Sequence, residues 1–338
     1  MSWMIGNLAI AGDLILAPLD GYGDPPFRLL CRAYGAALSY VPIVPAEAVL
    51  ARRRAKRPLV SFYEGERPVG IQFLTRHPEQ LARAIERVLT LQPVVIDLNL
   101  GCPARKVVAS CRGARLLQEP ELIGALMAAA VRVSPVPVTA KMRIGWDFFS
   151  RNHVEVARIL EQNGAAAIAV HGRTRAQAYR GEADWDAIRE VREAVSVPVI
   201  ANGDATDVAS IEAILAQTGC PAVMVARGAI GNPWLFGRRD LADVPLAERM
   251  RLVARHLHMS VLYYGPTKGV ISFRKHVVHY VKGLPGAAAV RTRLMEPTSA
   301  EQMLAVLAEH AGLDQVARAA LYAEDEREIQ AWMGTLCA

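Results

Sequence analysis

The chain has few cysteines and no long apolar run. Cys31, Cys102, Cys111, Cys220 and Cys337 are scattered over 338 residues. Their number is odd and no CxxC pair occurs, which argues against a disulfide framework and a structural zinc site, so no metal is expected. No hydrophobic stretch approaches the roughly 20 residues of a membrane helix, so no membrane association is expected. The opening residues MSWMIGNLAIAGDLILAPL carry no basic leader and place Asp13 inside the apolar stretch, so they do not read as a signal peptide. No GxGxxG follows an early strand, which counts against a dinucleotide-binding doubly wound sheet. The expectation is a cytoplasmic, reduced and monomeric protein. A hydrophobic fraction of 52% describes a well-cored globular chain.

What is present is alternation. Short apolar runs recur at 14–18, 38–44, 69–74, 94–100, 136–144, 165–171, 198–204 and 222–227. Amphipathic stretches at 78–90, 120–132, 154–162, 185–195 and 208–217 lie between them. Strands alternating with helices imply parallel pairing through crossovers, and eight such units predict an α/β protein with a (β/α)8 TIM barrel. Function in such a barrel sits at the C-terminal strand ends. Those ends carry Ala17-Pro18-Leu19, Gln72, Asn99 with Cys102, Lys141 with Arg143, His171-Gly172-Arg173, Asn202-Gly203-Asp204 and Ala226-Arg227-Gly228. The last two clusters follow strands seven and eight, where barrels commonly hold phosphate. A phosphorylated planar cofactor such as FMN suits this rim, and so does a phosphosugar, with Lys141 as a Schiff-base lysine.

Residues 94–106, VVIDLNLGCPARK, stand out. A buried strand delivers Asn99 and Cys102 to the barrel mouth, Gly101 relieves crowding, and Pro103 stops the strand. Arg105 and Lys106 follow, placing the thiol under positive charge. Two readings stay open here: a reactive or proton-donating cysteine, and a buried structural one.

Beyond Asp243-Val244-Pro245 the strands stop. Helices are expected at 246–262, 268–282, 299–310 and 313–333, giving a barrel over 1–243 and a smaller all-helical C-terminal domain over 244–338. The first part of that domain is basic, with Lys268, Arg274 and Lys275 among its cations and Glu248 as its acid, and the whole chain has a net charge of +6. Such a surface fits a phosphate backbone or an ordinary solvated helix face. A second basic run, Arg52-Arg53-Arg54 with Lys56-Arg57, follows the second strand.

The motifs together resemble the tRNA-dihydrouridine synthases. DLNLGCP at 97–103 with Lys106-Val107, APL at 17–19, Gln72, KMRIGW at 141–146, VHGRT at 170–174 and IANGD at 200–204 occur in that family's order. Tyr264 to Gly269 and Arg274-Lys275-His276 extend the likeness, which is greatest to the bacterial DusB-like subgroup. The resemblance implies an FMN-dependent oxidoreductase that draws on NADPH and reduces a D-loop uridine of tRNA. Hydride goes to C6 of uracil and Cys102 protonates C5. Ala17, Pro18, Leu19, Gln72, Lys141, His171, Asn202, Gly203, Asp204, Ala226 and Arg227 are then expected to hold FMN. Asn99, Lys106, Arg143, Arg173, Lys268, Arg274 and Lys275 are expected to meet the RNA. Three features depart from the family pattern: Ser110-Cys111-Arg112 precedes Gly113-Ala114, Ala226 stands where glycine is usual, and Pro42 replaces a glutamate, with Glu47 later. The rival readings are a free-pyrimidine oxidoreductase on an FMN barrel and a non-catalytic tRNA-binding module.

Overall fold

The computed structural model describes residues 2–51, 58–312 and 326–338. An antiparallel hairpin comes first, β1 (Ser2–Ile5) and β2 (Leu8–Ala11), turned by Gly6-Asn7 with Gly6 at φ +58°. Eight parallel strands follow: β3 (Leu14–Leu16), β4 (Ser39–Pro45), β6 (Val69–Leu74), β7 (Val95–Leu100), β8 (Val138–Arg143), β9 (Ala167–His171), β10 (Val199–Asn202) and β11 (Ala222–Val225). Their order is β3-β11-β10-β9-β8-β7-β6-β4, and a bridge from Ile15 to Leu38 closes the ring. The expected barrel is present. The helices α1 (Pro25–Ala33), α2 (Ala46–Leu50), α3 (Pro78–Val88), α4 (Arg105–Ala109), α5 (Pro120–Val133), α6 (His153–Gln162), α7 (Trp185–Ala194) and α8 (Val208–Thr218) connect the strands.

Side chains alternate along each strand, so one parity faces the helices and the other faces the barrel interior. On β7, Ile96, Leu98 and Leu100 join the core between sheet and helices. Val95 joins a lower interior cluster with Ile15, Tyr40, Ala167, Ile200 and Met224, which Ile5 and Ile10 of the hairpin close from below. The remaining inward positions near the strand ends are polar: Gln72, Asp97, Asn99, Thr139, Lys141, Arg143, His171 and Asn202. The barrel is thus apolar below and polar at its mouth.

After the barrel come α9 (Leu246–Tyr264), α10 (Pro266–Tyr280), α11 (Ala287–Arg293) and α12 (Ala300–His310), with a last described helix Glu326–Met333. Their core, which includes Val253, Leu257, Phe273 and Leu304, also takes in Leu29 and Leu30 of α1 and Trp234. Helix α1 therefore serves two cores, since its Phe27 and Cys31 face the barrel's. Three features depart from the sequence expectation. The hairpin and α11 were not foreseen. The strands also do not end at the barrel, because Leu336–Cys337 pairs antiparallel with β5 (Phe62–Tyr63). The basic run 52–57 and much of the expected 313–333 helix lie outside the described residues. No helix among the described residues is long and apolar enough to cross a membrane.

Candidate active site

Half-buried Cys102 lies just past the end of β7. Its loop is held by Asn99, whose side-chain oxygen accepts from the backbone N–H of Gly101 (3.2 Å) and Cys102 (2.9 Å). The Asn99 Nδ2 donates to Gln72 Oε1 (2.7 Å), and Gln72 Nε2 donates to Asp97 Oδ2 (2.7 Å). The Thr139 hydroxyl donates to Asp97 Oδ1 (2.6 Å). An ionised carboxylate can only accept, so Asp97 fixes which way Gln72 turns, and Gln72 in turn fixes Asn99. Burial lifts the Asp97 pKa to about 6, against the bonds from Thr139 and Gln72. Every group in this chain is buried.

Burial also raises the Cys102 pKa, while the Ala104 N–H and the charges of Arg143 and Lys141 pull it down and Asp20 adds to the rise. The thiol therefore keeps its proton at neutral pH. The expectation that Arg105 and Lys106 charge its surroundings is corrected: both are exposed on α4, and the nearby cations come from β8.

Behind the thiol lies a surplus of positive charge. Lys141 Nζ donates to Asn202 Oδ1 (2.8 Å), and Asn202 Nδ2 donates to the Met224 carbonyl (2.7 Å). Burial and then Arg143 lower the Lys141 pKa to about 7. His171 is held well below its ordinary value by burial, then by Lys141, Arg143, Arg173 and Arg227, so it is neutral. Arg173 lies 3.4 Å from His171 Nε2 and can only donate, which leaves the imidazole proton on Nδ1. Arg143 and Arg173, expected to meet the base's carbonyl side or a nearby phosphate, are each 2% exposed and also tie loops together. Arg143 donates to the carbonyls of Gly101, Thr174 and Ala178. Arg173 donates to the Gly181 carbonyl and to Asp204 Oδ2. Arg227 is exposed, with its guanidinium 4.7 Å from the Tyr179 ring centroid.

The other expected cofactor positions line the same mouth. The Ala17 N–H bonds to the Val225 carbonyl (2.8 Å), with Pro18 and Leu19 half-buried beyond it. Ala226, where glycine is usual, has a negative φ of −114° but a ψ of −104°, between the α and β regions. Gly203 has φ +128°, and an added Cβ would lie 2.6 Å from that of Ala183, so packing already demands glycine there. Two positive-φ residues, Gly203 and Asp204, run in succession. Clustered cations facing few carboxylates, beside backbone turns after β10 and β11, fit a phosphate-bearing planar group.

The expected RNA contacts are dispersed. Lys106 and Lys268 are exposed, on α4 and α10. Arg274 donates to the carbonyls of Glu296 and Pro297, and Lys275 Nζ lies 3.2 Å from Asp24 Oδ2. Asp24 also accepts from the Tyr264 hydroxyl (3.1 Å) and caps α1. Its carboxylate and the imidazoles of His256 and His276 have donor atoms within 4.8 Å of one another. The departure at 110–112 has a local partner: Arg112 pairs with Glu47 and donates to Ser110 Oγ (2.8 Å). Beside it, Cys111 takes φ +55°. Pro42 sits where β4 bulges between Val41 and Val44, with Ile43 at φ +43°. Sequence reading missed Asp97, Thr139, Tyr179 and Asp24. The period-two parity of Asn99 and Lys141 marks the first two; nothing in the spacing marks the others.

The family model described as dihydrouridine synthase (Dus) matches residues 15–316. The chain belongs to the dihydrouridine synthase family. It is 40% identical to tRNA-dihydrouridine synthase B of Pseudomonas aeruginosa, over 86% of this chain and 90% of that one. A probable tRNA-dihydrouridine synthase of Rickettsia prowazekii is 36% identical, over 85% of this chain and 90% of its own. A solved histamine dehydrogenase from Rhizobium sp. 4-9 shares the fold alone, with a TM-score of 0.50 and 13% identity over 69% of this chain and 46% of that one. Dihydrouridine synthases are oxidoreductases and depend on a flavin. That dependence agrees with the cationic, glycine-turned mouth of this barrel.

Proposed function

We propose that this dihydrouridine synthase reduces the C5=C6 bond of a D-loop uridine in tRNA, with FMN as its flavin and NADPH as the reductant. The observation that carries the reading is the thiol loop, held by the Asp97–Gln72–Asn99 chain beside a surplus of buried cations. Lys141, Arg227 and the backbone turns after β10 and β11 would hold the phosphate. Ala17, Pro18, Leu19 and Gln72 would border the ring system. When bound, the flavin supplies hydride to C6 of the uracil. The Cys102 thiol, protonated because it is buried, gives its proton to C5. Arg143 and Lys141 stabilise the thiolate left behind, which regains a proton from solvent. Asn99 Nδ2 gives one hydrogen to Gln72, and its second would serve the base edge. A loop uridine leaves its stack at less cost than a paired one, so a barrel mouth suits a D-loop target. In this reading residues 1–243 carry the chemistry, and the basic helices of 244–338 grip the tRNA body.

The test is incubation with NADPH and unmodified tRNA, followed by nucleoside mass spectrometry. A D-loop uridine should gain two hydrogens. Cys102→Ala should lower that rate by roughly a hundredfold or more while the flavin stays bound. Faster turnover of free uracil or orotate than of tRNA would overturn the RNA assignment.

A further inference from the structure

The loop after β8 carries the most exposed aromatic side chains among the described residues. Phe148 is 76% exposed and Phe149 is 93% exposed, with ring centroids 5.5 Å apart at 90°. Two adjacent large apolar residues at that exposure need a reason, whereas a single one would not. The loop that bears them is stiff. The Trp146 N–H bonds to the Ser150 carbonyl (3.0 Å), and the Asp147 carboxylate accepts from the N–H groups of Phe149 and Ser150. Its base is tied to the loop after β9, where the N–H groups of Arg175 and Ala176 bond to the carbonyls of Gly145 and Trp146.

The same lobe adjoins the thiol loop. The Ala114 N–H bonds to the Cys102 carbonyl (3.1 Å), and the guanidinium of the next residue, Arg115, lies 5.8 Å from the Trp146 ring centroid. The Arg175 guanidinium lies 4.4 Å from the same Trp146 ring centroid. Exposed rings on a hydrogen-bonded loop, whose base carries Trp146 between two arginines and contacts the segment that follows the thiol loop, have the composition of a stacking platform for unpaired bases. We propose that the 145–151 lobe stacks an unpaired nucleobase of the tRNA beside the uridine that enters the barrel. The inference rests on the proposed tRNA reduction.

Its test compares wild type with the F148A/F149A, F148L/F149L and F148W/F149W pairs, binding an unmodified tRNA transcript at several salt concentrations. Flavin content, NADPH-driven bleaching of the flavin, dihydrouridine formation and molar mass are followed in parallel. The alanine and leucine pairs should bind tRNA about ten- to a hundredfold more weakly. Their dependence on salt should match that of wild type, because no phosphate contact is lost. The tryptophan pair should restore affinity, and flavin bleaching should be unchanged in all three. Wild-type affinity in the alanine pair overturns the platform. So does full affinity in the leucine pair, which would mean apolar contact without stacking. A change of molar mass at unchanged tRNA affinity also overturns it and makes the lobe a contact between copies. Wild type that binds tRNA yet forms no dihydrouridine overturns the parent reading and leaves the platform to be judged on affinity.

Discussion

At the scale of single residues, the site depends on groups whose bonds are already committed. Asn99 satisfies two loop amides and one buried amide oxygen, so Asn99→Ala strands three polar groups. We expect a stability loss of about 1–3 kcal/mol in denaturant titration, and a fall in turnover larger than the fall in flavin content. Lys141 offers a pH test. Its pKa is lowered from 10.5 to about 7, so across that window the unfolded chain holds a proton that the folded chain lacks. The stability of the flavin-free protein should therefore gain from this group as pH rises through the window. A phosphate-bearing ligand returns the proton, so flavin affinity should weaken over the same window. Calorimetry and flavin titration of Lys141→Met should show both slopes reduced. Unchanged slopes would place the titrating group elsewhere.

At the scale of elements, strand alternation decides what reaches the mouth, and close packing decides what the lower barrel tolerates. A Cβ on Gly70 would lie 2.4 Å from Val95 Cγ1 and 2.7 Å from Tyr40, both inside the ring. Gly70→Ala should cost about 1–3 kcal/mol by overpacking, seen as a lower unfolding midpoint. Around α1, Arg28 donates to Glu66 (2.7 Å) and to the carbonyls of Gly23 and Ser61, with both charged side chains almost fully buried. Glu66→Ala leaves that guanidinium without its counter-charge, and a loss of about 3–5 kcal/mol is expected on denaturant unfolding. Replacing both partners with apolar residues should lose much less.

At the scale of the whole molecule, Asp24 joins the two cores. It caps α1 of the barrel and takes Tyr264 and Lys275 from the helices that follow. Burial alone would raise its pKa, but His276 and Lys275 hold it well below the usual carboxylate range. Asp24→Ala removes the cap, worth about 0.5–2 kcal/mol, and leaves Lys275 unpaired. We expect a lower calorimetric midpoint and a tRNA KM that rises while flavin content holds. An unchanged midpoint would show that the shared apolar packing of α1 suffices to join the cores. The uneven charge of the molecule predicts tRNA affinity that falls steeply with salt.

Strand positions and the chemical identity of the mouth were legible in the sequence, because apolar runs bounded by Gly, Pro and polar residues mark strand ends directly. Cys102, Asn99, Lys141 and His171 were placed at strand ends that way, and the motif DLNLGCP carried the family. Only the folded chain decided how each group is used. Arg143 and Arg173 stand out as strand-end cations in the sequence, but the loop groups they bond are not brought to notice by spacing along the chain. Lys275 meets an aspartate 251 residues away, and Leu336–Cys337 returns to a strand near residue 62. Local pattern encodes which residues face inward, because it follows from backbone geometry. Partnership across the fold depends on packing that no short stretch contains.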